Sequence, residues 1–524
     1  MRYLLAALPI LFVLGLMILR RWGGQRAGPA GWLAGGLIAL LAFGLNWQVL
    51  WVSQLKGLFL SLFVLAILWP ALFLYHVVDG AGGIRATAQA LEGSAGERGL
   101  LLILLAWAFS GLLEGLAGFG LPIAIVAPML VGLGVPAVRA VAAVAVGHAW
   151  SVTFGDMSVI FQTLAGIVDR PMVDLAPMAA LFLGIACIAC GLGAAFILGQ
   201  GRHAARVVLI GLLMAGVQYG LAVTRLVPLA VLVAGLTGLA AGVMAGRWLQ
   251  RRRQAEPGQG DAHGRAGSST TPEPGLGMVI DKKALLAGLA SYGLLTLLLG
   301  ILFLNPRLYD ALMQTVWQVQ FPATSTAAGF GLPAGAGQAL RPLVHPGTYI
   351  LLTAILSYIM LTRAGLVGRR DWQQAARNTW RSAAAVSAGI LSMVGLSTLM
   401  DHSGMTFLLA QGLSDGMGTL FPLASPLVGV LGAFATGSNN NSNVLFAPLQ
   451  NNVALLLSLD PRLLLAAQTS GGSLGSMIAP AKIIVGCSTV GIRGKDGEVL
   501  KITLPYCLAI CVLLGALALS LAGC

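Results

Sequence analysis

Apolar runs long enough to cross a bilayer alternate along this chain with short polar or glycine-rich joints, and this pattern predicts helices almost throughout. About 20 apolar residues cover the ~30 Å of hydrocarbon. Such runs predict spans near 3–19, 31–52 and 55–78, followed by a polar, partly amphipathic stretch from Asp79 to Arg98. Further spans are predicted near 175–198, 207–224 and 226–246, then near 284–304, 346–362, 383–400 and 503–522. Glycine and proline across 305–345 predict a long loop with little regular structure.

Two kinds of segment interrupt this pattern. In GAFATGSNNNSNVLFAPLQ (432–450) a run of hydroxyls and amides sits between apolar arms, Leu423–Ala435 and Val444–Leu457. Each arm has ~13 residues, too short to span alone, and Gly437 permits a non-helical turn at the tip. In lipid such backbone survives only inside protein or beside a wet cavity, so a re-entrant hairpin over about 423–457 is predicted. An extramembrane Asn-rich turn between short helices is the alternative. The same device recurs over about 99–135, where two apolar arms flank EGLAGFG. Broken spans follow each hairpin: about 138–166, interrupted at His148, Trp150, Ser151, Thr153, Gly155 and Asp156, and about 461–490, containing SGGSLGSMIAPAK.

Order and spacing relate the two halves. Asp79 answers Asp401, and Ala88-Gln89-Ala90-Leu91 answers Ala410-Gln411-Gly412-Leu413, at an offset of 322; Ala127-Pro128 answers Ala447-Pro448, and Gly155-Asp156-Met157 answers Gly475-Ser476-Met477, at 320. The expectation is an all-α polytopic membrane protein of two inverted repeats, each with a re-entrant hairpin and a broken transmembrane helix. Residues 1–250 form the first repeat and 284–524 the second. Between them 251–283, rich in Gly, Pro, Ser and charge, reads as a cytoplasmic linker.

Composition agrees with this class. The chain has 524 residues, of which 57% are hydrophobic and 9% charged, far below the ~25% charged residues of a soluble domain. Its net charge of +13 resides in loop clusters at Arg20–Arg26, Arg247–Arg253, Arg363–Arg381 and Arg493–Lys501, so it reports topology rather than nucleic-acid binding. Placing all four clusters in the cytoplasm puts both termini outside, with hairpin one entering from the cytoplasm and hairpin two from outside. The opening MRYLLAALPILFVLGLMIL runs on to Arg20-Arg21, as a retained first span does. Cys187 and Cys190 form a CxxC inside an apolar helix without a third ligand, and read as small packing residues.

EGLAGFGLPIAI (114–125), TGSNNNSNVLFAPLQ (436–450) and GGSLGSMIAPAKIIVGCSTVGIRGKDG (471–497), with the LPILF start at Leu8, resemble the lactate permease family of the ion transporter superfamily. The likeness runs over nearly the whole chain. It implies proton-linked uptake of L-lactate, and often D-lactate and glycolate, across the bacterial plasma (inner) membrane. The partners it implies are a small carboxylate and a proton, with Na⁺ as the alternative coupling ion. No cofactor, metal or nucleic acid is expected, and a homodimer is the candidate assembly.

A monocarboxylate needs one or two groups for the anion, one for the hydroxyl and a titratable group for the proton. Free N–H groups at hairpin tips can hold the anion without a full positive charge. The candidate substrate-binding residues are Gly115, Gly118, Gly120, Ser151, Thr153, Gly437, Ser438, Asn439, Asn440, Asn441, Ser442, Asn443, Ser470, Ser473 and Lys482. Glu114, enclosed by apolar sequence, is costly to ionise and so suited to carry the proton; a structural cap or ion-pair lock is the other reading. His148 and Asp156 are the further candidates for proton coupling. Lys482 either serves as the anion's counter-ion or snorkels to the surface. Without HExxH or a P-loop, neither an enzyme nor an ATP-driven pump is expected.

Overall fold

The computed structural model describes residues 2–20, 22–83, 86, 97–116, 120–255, 282–492 and 495–523. Gly118, the repeat register at Ala88–Leu91 and most of the 251–283 linker lie outside the described residues. The described residues contain nine helices long and apolar enough to cross a membrane, or ten if one bent pair counts as a span. Exposed leucines such as Leu209, Leu286 and Leu297 clothe the outer helices, as lipid-facing positions require.

The chain opens with helices Arg2–Leu19, Gly24–Ala42 and Trp47–Gly80. This corrects the expected spans at 31–52 and 55–78. The joint falls earlier because Gly44 takes a left-handed φ of 67° and the Asn46 side chain caps the next helix, accepting from Val49 N at 2.9 Å. Lys56 lies inside this third helix. Its Nζ lies 5.7 Å from the centre of the Phe321 ring, so the long side chain reaches an aromatic face while the backbone remains helical.

Helix Trp47–Gly80 runs antiparallel to the equally long helix Arg369–His402. Gln54 Nε2 donates to Gly395 O at 3.1 Å, Trp69 Nε1 donates to Ser387 Oγ at 3.0 Å, and the Phe73 and Trp372 rings meet edge to face at 4.7 Å. Near one end of this pair lies the 305–345 segment, where the structure departs from the expected irregular loop. After a short helix, Pro306–Met313, the chain forms an antiparallel β-hairpin in which Gln320 faces Ala336 and Thr324 faces Leu332. Paired segments of two residues are too short to show alternation in sequence. They hold because the hairpin packs down on the helix ends, with Asn46 Nδ2 donating to Ser325 O at 2.7 Å and Gln48 Nε2 to Ala323 O at 3.0 Å.

Helix breaks occur inside four segments. Arg98–Leu116, with a π-helical turn at Leu105–Phe109, is followed by Leu121–Gly132; Ala137–Ser151 and Gly155–Ile167 form a pair bent by 54°. In the second half Phe421–Thr436 precedes Asn439–Leu456, and Pro461–Gly475 precedes Pro480–Thr489. The arms around Gly437 are thus 16 and 18 residues long, longer than the apolar runs alone suggested. The polar residues Asn439–Asn443 are themselves helical and buried, which is why the second arm starts earlier than its hydrocarbon does. Around the breaks the core is bulky: Trp107, Trp150, Phe154 and Phe161 are fully buried. Where small residues recur, backbones touch, and a Cβ on Gly471 would collide with the carbonyl of Pro426.

Candidate functional site

The four breaks place loose backbone ends and polar side chains around one cavity of about 300 Å³. At the tip between 421–436 and 439–456, Gly437 adopts φ 72°, a left-handed value that other residues reach only at a cost. Ser438 is then extended (φ −151°) and begins the next helix without a side-chain cap, so the first amides of Asn439–Leu456 are not closed by that side chain. Thr436, Gly437, Ser438, Asn439, Asn440 and Asn441 all line the cavity. Asn440 is the sharpest of these: among the described residues neither its amide nitrogen nor its amide oxygen has a partner, although the side chain is buried. Such a group is expensive unless something arriving in the cavity completes it.

Charge enters from three other elements. Glu114 stands at the end of helix Arg98–Leu116, and Lys482 in the first turn of Pro480–Thr489; Lys482 Nζ is 3.7 Å from Glu114 Oε1. The second oxygen of Glu114 is buried without a partner among the described residues. Asp156 lines the same cavity and begins a stretch of three left-handed residues, Asp156, Met157 and Ser158. Each such non-glycine residue costs on the order of 1–2 kcal/mol. Surroundings hold the turn in place: Ser158 Oγ donates to Val227 O at 3.0 Å, and the Gly155 backbone lies so close to Glu114 that a Cβ there would clash with it.

Behind the lining a buried hydrogen-bond network joins three of the broken segments. Thr153 Oγ1 accepts from Asn439 Nδ2 at 2.9 Å and donates to Thr469 O at 2.9 Å. Thr153 N donates to Ser473 Oγ at 3.3 Å, and Ser473 Oγ donates to Ala149 O at 2.6 Å. Asn443 Nδ2 donates to Thr469 Oγ1 at 2.9 Å, and Ser442 Oγ to Gly429 O at 2.9 Å. Hydrogen bonds among polar groups in a low dielectric fix relative position strongly, although Asn439 Oδ1 and Asn443 Oδ1 have no partner among the described residues. Thr153, Ser442, Asn443 and Ser473 therefore brace the tip from outside the cavity lining.

The remaining candidates sit elsewhere. His148 ends helix Ala137–His148 with its Nδ1 2.8 Å from Val144 O, and its ring lies outside the cavity lining. Ser151 Oγ donates to His148 O at 2.6 Å. Ser470 is buried with its hydroxyl unpartnered among the described residues, Gly115 packs on Val231 and Leu232, and Gly120 (φ 83°) turns the chain beside Lys482. Part of the lining escaped sequence reasoning: Gly23, Gly24, Gln25, Leu68, Val386, Gly389 and Ile390 also border the cavity. The only signal there was the Gly23-Gly24 pair after Arg20-Arg21. Thr469 in the brace, and Gln468, whose Nε2 donates to Ser442 Oγ at 3.1 Å, carried no motif that separated them from ordinary helix polarity.

A family model described as L-lactate permease matches residues 2–523. The L-lactate permease of Bacillus subtilis (strain 168) is 27% identical over 536 residues, covering 97% of this chain and 94% of that protein. Glycolate permease GlcA of Escherichia coli (strain K12) is 26% identical over 554 residues, covering 98% and 95%. Among solved structures, Neisseria gonorrhoeae MtrF, described as illuminating a class of antimetabolite efflux pumps, aligns at a TM-score of 0.47 and 16% identity, covering 87% of this chain and 81% of that one.

Proposed function

Because the chain belongs to the L-lactate permease family, we propose that it imports short 2-hydroxy monocarboxylates, lactate and glycolate, across a bacterial plasma membrane by proton symport. It is a multi-pass membrane protein whose relatives are permeases and not enzymes. The observation that carries the coupling is the Glu114–Lys482 pair in the cavity beneath the tip. Lys482 is the cation that an arriving carboxylate meets, and Glu114 is the base released when it does. Asn440 and the amides that open Asn439–Leu456 supply neutral donors for the carboxylate and hydroxyl.

Charge balance favours a proton over no coupling ion. Fully ionised, Glu114, Asp156 and Lys482 carry a net charge of one negative unit, and an added anion makes two in a largely apolar surround. A proton taken up by Glu114 together with the anion restores the original charge. The four paired half-helices support the inverted-repeat reading with 251–283 as a cytoplasmic linker. The joints fall into two sets. Arg98, Arg139, Arg202, Arg247, Arg369, Arg370 and Lys495 lie at one set, which the positive-inside rule assigns to the cytoplasm, whereas fewer basic residues, among them Arg170, Arg225 and Arg462, lie at the other with the 317–340 hairpin. Uptake of labelled lactate into proteoliposomes under separately imposed pH and Na⁺ gradients tests the reading. Accumulation driven by the pH gradient is expected, and accumulation driven only by Na⁺ would replace proton coupling with sodium coupling.

A further inference from the structure

Away from the transport cavity, a second polar hollow of about 300 Å³ opens at the surface where helices Arg98–Leu116 and Ala137–His148 begin and Met172–Ile197 ends. Three guanidinium groups from three elements line it: Arg98, Arg139 and Arg202. Two have protein partners. Arg98 donates to the carbonyl of Leu133, and Arg202 lies 3.7 Å from Glu97, which also takes Arg206 at 2.9 Å. Arg139 is exposed and, among the described residues, has neither hydrogen bond nor ion pair. The side-chain oxygen of Gln200, also in the lining, is buried without a partner among the described residues. Leu102, Val135 and Leu198 complete the wall on its apolar side.

We propose that this hollow binds the phosphate of an anionic phospholipid headgroup. A phosphodiester supplies what the lining lacks, namely acceptor oxygens for Arg139 and for the outer edges of Arg98 and Arg202; a glycerol headgroup adds a hydroxyl that donates to Gln200. The neighbouring carboxylate does not neutralise the site, because Glu97 already faces Arg202 and Arg206 together. The hollow is at a membrane surface, between transmembrane helices, on the side to which the basic joints belong, where anionic lipid is within reach. The apolar flank distinguishes a lipid from free phosphate, since it gives the glycerol backbone and first methylenes a surface that an inorganic ion would not cover. An occupant here ties hairpin one to the broken span that follows it and to the 198–204 joint, the elements that present Glu114 and Asp156.

Native mass spectrometry of the full chain released from phosphatidylcholine nanodiscs containing a minority of phosphatidylglycerol reads retained lipid without any transport step. Wild type should keep a phosphatidylglycerol adduct, and Arg139→Gln should lower its retention about fivefold, the effect of one arginine beside an anionic headgroup. Arg139→Lys should keep an intermediate amount, and Arg370→Gln, in another basic cluster of the same side, should match wild type. Equal retention by wild type and Arg139→Gln overturns the proposal, as does an equal loss in Arg370→Gln, which would mean a diffuse field. Replacement of the lipid adduct by a bound phosphate when inorganic phosphate is added overturns it in favour of a free-anion site.

Discussion

Replacing Glu114 by glutamine removes the titratable oxygen at nearly constant volume, and its consequence for driven transport can be worked from the cavity. If one proton enters with each anion, the pair crosses as a neutral unit. One unit of pH gradient then supplies about 1.36 kcal/mol, or about tenfold accumulation of lactate. An imposed membrane potential at equal pH should add nothing. Glu114→Gln should bring the pH-driven ratio down to about one, while exchange of labelled for unlabelled lactate at equal pH persists, since Lys482 and Asn440 remain. A purely structural Glu114 gives a different result: removing one member of a buried pair costs about 3–5 kcal/mol, and expression, exchange and accumulation fall together. The pair is 3.7 Å apart, with 10% of the Lys482 and 2% of the Glu114 side chain exposed, and the function proposed above expects the first outcome. Parallel uptake and counterflow assays on purified, reconstituted protein decide between them. Tenfold accumulation by a well-expressed Glu114→Gln protein would refute the coupling argument and move the proton to Asp156 or His148.

Thr153→Val keeps the shape of the side chain and deletes its bonds to Asn439 and Thr469; melting of the detergent-solubilised protein should reveal a loss of about 1–3 kcal/mol, with a raised KM for lactate as the tip loosens. Unchanged values for both would remove the network from any bracing role. Gly437→Ala forces a Cβ into φ 72° at a cost of about 1–2 kcal/mol, so exchange should fall even in protein that folds, and normal exchange would show that the tip does not need this turn. In a cysteine-less background, single cysteines at Arg370 and Lys495 should label only from the cytoplasm and one at Ala327, whose N–H bonds to Gly44 O at 2.8 Å, only from outside. External labelling at Arg370 in intact cells would reverse the topology.

What the sequence made legible is what physics writes locally. A span shows because every residue in it must be compatible with hydrocarbon, and a break such as Gly437-Ser438 shows because hydroxyls and amides interrupt that requirement within a few positions. The β-hairpin over 317–340 did not show, because each paired segment is two residues long and its stability comes from Asn46 and Gln48 on a helix remote in sequence. The joint before Trp47 did not show either, because a single Asn46 cap and a left-handed Gly44 fix it.

Within the site the same division recurs. Glu114, Asp156, Lys482 and Asn440 drew attention because ionisable or amide groups inside apolar sequence are costly and need a reason. The lining at Gly23–Gln25, Val386, Gly389 and Ile390 contributes mainly shape, and nothing in a glycine or an isoleucine distinguishes a cavity wall from a helix contact before the chain is folded. Distance along the chain conceals the rest. Thr153 reads as one more polar residue of a broken span until Asn439 and Thr469 are brought beside it, and Glu114 reads as an isolated acid until Lys482 arrives. Both meetings link segments from opposite halves of the chain. Neither pair is legible in its own segment, because each forms only when the two halves fold together.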